Sequence, residues 1–106
     1  MEFRQHYQIS EVDLEGHVLR SYGGRRGGGE RQLNRLNHMA IDWCGRLIVT
    51  DSSNKRVVLL SVDLEFERTI MSSSIPLRCC YNQQIKQLIV GLDVGGGKSQ
   101  LVTLAV

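Results

Sequence analysis

The segment from Gly45 to Asp63, GRLIVTDSSNKRVVLLSVD, sets the tightest limit on what this chain can fold into. A glycine turn leads into an apolar run, a short Asp/Ser/Asn turn follows, and a second apolar run completes a β-hairpin. The pieces recur. Leu47-Ile48-Val49 returns as Leu88-Ile89-Val90, 41 positions on, and Val12-Asp13-Leu14-Glu15 returns as Val62-Asp63-Leu64-Glu65, 50 positions on. A period in that range marks a repeat architecture, in which each unit buries its apolar surface only against its neighbours.

Other apolar runs follow the same grammar, short and bounded by Gly, Asn, Asp or Ser, with no sustained helical period. Nine strands are expected, near residues 6–13, 16–22, 38–43, 46–50, 56–62, 65–70, 77–82, 86–91 and 100–106. Longer connections, 23–37 and the serine run 71–76, interrupt this meander at equivalent places. Four-strand units joined by longer links predict an all-β fold built of antiparallel, four-stranded propeller blades. The divisions are 1–22, the last two strands of a preceding blade, 23–70, a complete blade, and 71–106, a degenerate partial blade.

Composition bounds the rest. The chain has 106 residues, enough for one small domain. Its 42% hydrophobic and 23% charged residues are those of a globular protein rather than a disordered one. No apolar stretch approaches the roughly 18 residues of a membrane span, and residues 1–6 lack a signal-peptide core. A cytoplasmic chain with reduced thiols is expected, since its 3 cysteines are odd in number and the vicinal Cys79 and Cys80 point to opposite faces of a strand. No cysteine or histidine spacing suits a metal, and no cofactor is expected.

The residues Leu33-Asn34, Met39-Ala40-Ile41-Asp42, Gly45, Leu47-Ile48-Val49-Thr50-Asp51-Ser52, Asn54, Arg56 and Val57 resemble the NHL repeat, the unit of NHL-type β-propellers. The chain departs from that pattern with Leu36 where the family has Pro and His38 where it has Gly. The second unit keeps Pro76 and the Leu-Ile-Val strand but replaces the Asp-Ser-x-Asn-x-Arg turn with Asp93-Val94-Gly95-Gly96-Gly97-Lys98. The resemblance implies a binding module. Asp51 is expected to accept N–H groups across its turn and Arg56 to hold that turn in register. Trp43 is expected to pack in the core or at the rim. Little more than two blades cannot close a ring, so a homo-oligomer, with a trimer favoured, or a fragment of a longer propeller is expected.

Two binding readings follow. A basic loop runs from Arg20 to Arg35, and Arg25, Arg26, Arg31 and Arg35 with Lys55 and Arg56 would share one face. Such a face suits phosphates, and Tyr22 is the candidate to stack on an unpaired RNA base. RNA binding is the alternative to the main reading, protein recognition through rim groups such as Trp43 and Tyr81. Catalysis finds no motif around His6, His17 or His38. Gly95-Gly96-Gly97-Lys98-Ser99 fails as a P-loop, because position 92 is Leu and the residues after it read as a strand.

Overall fold

The structure, a computed structural model, describes residues 7–25, 27–29, 32–72 and 74–106. Among the described residues, nine strands form three antiparallel sheets. The first sheet is β1 (Gln8–Val12) and β2 (Val18–Gly23). The middle sheet runs β3 (Leu36–Ile41), β4 (Leu47–Asp51), β5 (Arg56–Leu60), β6 (Phe66–Ser72) in chain order. The third is β7 (Ile75–Asn82), β8 (Gln87–Gly95) and β9 (Lys98–Ala105). The all-β, antiparallel expectation holds. No helix among the described residues is long and apolar enough to cross a membrane.

The middle sheet is covered on both faces, which explains why β4 and β5 read as continuous apolar runs rather than alternating ones. Side chains alternate across a strand. Val49, Val58 and Leu60 therefore face the first sheet, where they meet Ile9, Tyr22, Leu33 and Leu64. Ile48, Val57 and Leu59 face the third sheet, against Cys79, Leu88, Val90 and Leu92. Each fully buried aliphatic side chain contributes about 1.5–3 kcal/mol, so the two seams hold the layers together without any covalent link; all three cysteines are free.

Hydrogen bonds also cross from the middle to the third sheet. Asn37 Nδ2 donates to the Leu77 carbonyl at 2.9 Å, Ser52 Oγ to the Pro76 carbonyl at 2.6 Å, and the Cys79 N–H to His38 Nδ1 at 3.3 Å. These fix β7 beside β3. His38 is thus half-buried between two sheets rather than a surface group.

The hairpin turns at one end of the molecule share a design. Asp13 accepts the N–H groups of Glu15 and His17, Asp42 those of Cys44 and Arg46, and Ser61 Oγ those of Asp63 and Glu65. The left-handed position of each turn is filled by Gly16, Gly45 and Leu64, with φ of 90°, 88° and 61°. A side-chain acceptor at the turn's first residue replaces a backbone partner. The β8–β9 turn is different: Gly95, Gly96 and Gly97 all have positive φ, of 89°, 63° and 72°, and lead directly into β9.

Candidate functional site

At the opposite end of the molecule the described part of the lead-in to β3, residues 24–25, 27–29 and 32–35, lies against a short 3₁₀ turn, Ser52–Asn54. Gly23 starts this segment with φ of +82°, and a Cβ there would run into the Tyr7 carbonyl, so glycine is required. Leu33, fully buried, plugs the segment into the core.

Asp51 organises the whole region. Its carboxylate is fully buried and accepts three bonds: the Asn34 N–H at 2.7 Å, Asn54 Nδ2 at 2.8 Å and Arg56 Nε at 2.8 Å. The backbone partner comes from the lead-in segment, not from the β4–β5 turn as the sequence suggests. Asn54 and Arg56 then pass the order on to the glycines. Asn54 Nδ2 donates to the Gly27 carbonyl at 2.8 Å, and Arg56 donates to the carbonyls of Gln32 at 2.7 Å, Gly28 at 3.3 Å and Gly29 at 3.4 Å. Gly27 N–H closes onto the Leu33 carbonyl at 3.1 Å. A buried acid thus holds the glycine loop through two side chains, beside the loop's own bonds from the Gly29 N–H to Gln32 Oε1 at 2.9 Å and from the Gln32 N–H to the Gly29 carbonyl at 3.1 Å.

This arrangement separates the sequence-predicted site residues. Arg56 is an internal clamp, its guanidinium committed to Asp51 and the loop carbonyls, and so is not a cation on offer to phosphate. Tyr22 is 1% exposed and sits in the first core seam, which removes it as a stacking platform. Its pairing with Ile9 across the β1–β2 hairpin is the signal that places it inward. Arg25, Arg35 and Lys55 are exposed and, among the described residues, make no ion pair. Arg35 and Lys55 both have positive φ, 70° and 53°. Arg26 and Arg31 lie outside the described residues.

Of the two rim aromatics, Trp43 is half-exposed with Lys86 Nζ 4.4 Å from its ring centroid. Tyr81 instead packs into the second core seam, and its hydroxyl is buried without a hydrogen-bond partner. Cys79 is likewise internal; burial pushes its thiol up to about 11, with Cys80 adding to the effect, so it is not a nucleophile at neutral pH. Asp13, Glu15 and His17 bring three potential ligand atoms together, but the Asp13 carboxylate is already taken up by the turn N–H groups and by His17 Nδ1 at 3.0 Å.

The feature that sequence reasoning missed is apolar. The first sheet covers only part of the middle sheet, and a cleft of about 330 Å³ opens beside β1, floored by Ile9, Met39, Ile41, Leu47 and Leu64. Met39 is 44% exposed and Ile41 59%. A second shallow cleft, of about 340 Å³, lies on the outward side of the third sheet beside Cys80, Ile89 and Leu101. No protein-family model matches the chain, and no curated protein shows significant similarity to it.

Proposed function

We propose that this chain is a non-catalytic binding module, an NHL-like propeller segment that recognises protein. The observation that carries this reading is the uncovered apolar strip of β3, where Met39 and Ile41 stand half-exposed over a cleft with apolar walls. Large exposed apolar patches on a globular domain mark interaction sites. Trp43, half-exposed in the β3–β4 turn with Lys86 over its ring, adds an aromatic of the kind that dominates binding energy. The sheet order fits blades whose first strands, β3 and β7, lie side by side. Completion of such a ring by further copies, three chains in all, belongs to the same proposal, as does a cytoplasmic setting that keeps the cysteines reduced.

Single-stranded RNA is the second reading, favoured by Arg25, Arg35 and Lys55, which project from an ordered edge without ion-pair partners among the described residues. It ranks behind because its stacking residue is buried and Arg56 is engaged. The two separate in one experiment. Immobilised protein is used to capture partners from a nuclease-treated lysate, in parallel with an Ile41→Asp variant, while filter binding measures single-stranded RNA at rising salt. Proteins retained after nuclease and lost with Ile41→Asp support the first reading. Steeply salt-dependent RNA binding that Arg25→Ala and Arg35→Ala abolish, with no capture sensitive to Ile41, replaces it with the second.

A further inference from the structure

We propose that the two uncovered apolar faces are mates, so that the outward face of the third sheet of one copy docks into the β1-side cleft of a second copy, head to tail. The inference deepens the protein-binding reading by naming the partner as a second copy of this chain.

The molecule supplies the template for this contact. Within the middle sheet Met39 pairs with Val49, Ala40 with Ile48 and Ile41 with Leu47. Within the third sheet Cys79 pairs with Val90, Cys80 with Ile89 and Tyr81 with Leu88. The registers superpose, and Leu47-Ile48-Val49 matches Leu88-Ile89-Val90 residue for residue. Met39 and Ile41 therefore hold the positions of Cys79 and Tyr81, and Ala40 and Ile48 those of Cys80 and Ile89. In the seam between these sheets, Cys79 and Ile48 belong to one buried cluster, against which Tyr81 and Ala40 pack.

The same seam remains unmade at both ends of the molecule. Among the described residues, Met39 and Ile41 have no layer over them, and Cys80 and Ile89 have none beyond them. The equivalence continues into β9. Val57 pairs with Thr50 just as Leu101 pairs with Gly91, so Leu101, 79% exposed, holds the place of fully buried Val57. What covers a Cys79–Tyr81 surface inside the chain is an Ala40–Ile48 surface; the free surface of that kind is Cys80–Ile89–Leu101, and the free acceptor is Met39–Ile41.

Backbone at the cleft edge is ready as well. Gly24 N–H donates to the Tyr7 carbonyl, and in the antiparallel alternation this turns the N–H and C=O groups of Gln8 and Ser10 away from β2, toward the cleft. An unpaired edge beside an apolar floor accepts a further strand. β9 of the copy that supplies the third sheet is the strand that comes against it. The contact is heterologous, so it propagates as a ring or a fibre rather than stopping at a two-fold pair.

Light scattering across a concentration series tests this with the full chain and two surface variants, Leu101→Asp and Ile41→Asp. Both positions are exposed, and circular dichroism verifies that each variant keeps the strand signal. Wild type is expected above the 12.0 kDa monomer mass, and each variant alone is expected to associate about tenfold or more weakly. Mixed together, the two variants retain one intact donor face and one intact cleft, so they form a heterodimer and nothing larger. In a Cys44→Ser background, with copper phenanthroline as the oxidant, Met39→Cys is expected to form a disulfide with Cys80 of the copy seated in its cleft, giving a ladder or closed ring on a non-reducing gel. A wild-type monomer, a mixture that stays monomeric, or cross-linking confined to Cys80–Cys80 pairs overturns the inference. A monomer whose partner capture still depends on Ile41 overturns it alone and spares the broader protein-binding reading; a monomer without such capture removes both.

Discussion

At the scale of single residues, the basic loop is a structural consequence of Asp51. Its carboxylate has no exposure and three donors, so the loop, the 3₁₀ turn and the start of β5 share one buried acceptor. Removing one partner of a buried pair leaves the other charge uncompensated, at a cost of about 3–5 kcal/mol. Asp51→Ala is expected to destabilise the fold by that amount in urea unfolding, whereas Arg25→Ala, at an exposed position without an ion pair among the described residues, should change stability by well under about 0.5 kcal/mol. Equal effects of the two substitutions would mean that the network does not hold the loop. The Asp51–Arg56 pair was legible in the sequence, because a strand-ending acid and an arginine five residues later flank one short turn. The partners of the pair in the lead-in segment were not, since they depend on a contact 17 residues away in sequence.

At the scale of elements, the repeated turn explains how much of the fold could be read. Gly16 and Gly45 announce their left-handed positions, and all nine strands fall close to their expected places. Leu64 takes the same conformation without glycine because its side chain is held in the first core seam, a tertiary effect invisible locally. Tyr22 is the same kind of case: an aromatic beside an arginine-rich loop reads as a binding group until its cross-strand neighbour Ile9 and the plug residue Leu33 are in place. The uncovered strip on β3 escaped notice because exposure of Met39 and Ile41 depends on how far the first sheet reaches across its neighbour.

The turn at Asp42 also makes a pH prediction. Burial pushes its carboxyl up, but the Arg46 N–H and guanidinium, with the Cys44 N–H, outweigh burial and hold it below the ordinary value. An acid whose folded pKa is depressed contributes stability that is complete above the unfolded value of about 3.9 and is lost as pH falls through the folded pKa. Asp42→Asn should therefore be less stable than wild type near neutral pH, with the gap closing below about pH 4. A gap that stays constant down to acid pH would show that the carboxylate's charge is not what stabilises this turn.

On the scale of the whole molecule, stability is distributed by layer. The middle sheet has a partner on each side, with Ile48, Val49, Val57, Val58, Leu59 and Leu60 all at 0% exposure. The first sheet has two strands and one packed face, and an isolated two-stranded sheet is marginal in water. Local opening free energies follow such differences in burial. Native-state hydrogen exchange should therefore rank β4 and β5 amides slowest, β7 and β8 next, and β1 and β2 fastest. The decisive comparison is the β1 edge across protein concentration. Where the head-to-tail contact forms, Gln8 and Ser10 amides gain strand partners and β1 protection rises with concentration, together with that of β9, while β4 and β5 stay unchanged. Protection of β1 that is as high as that of β5 in dilute protein would contradict the layered account, because nothing in the first sheet buries its backbone on the cleft side.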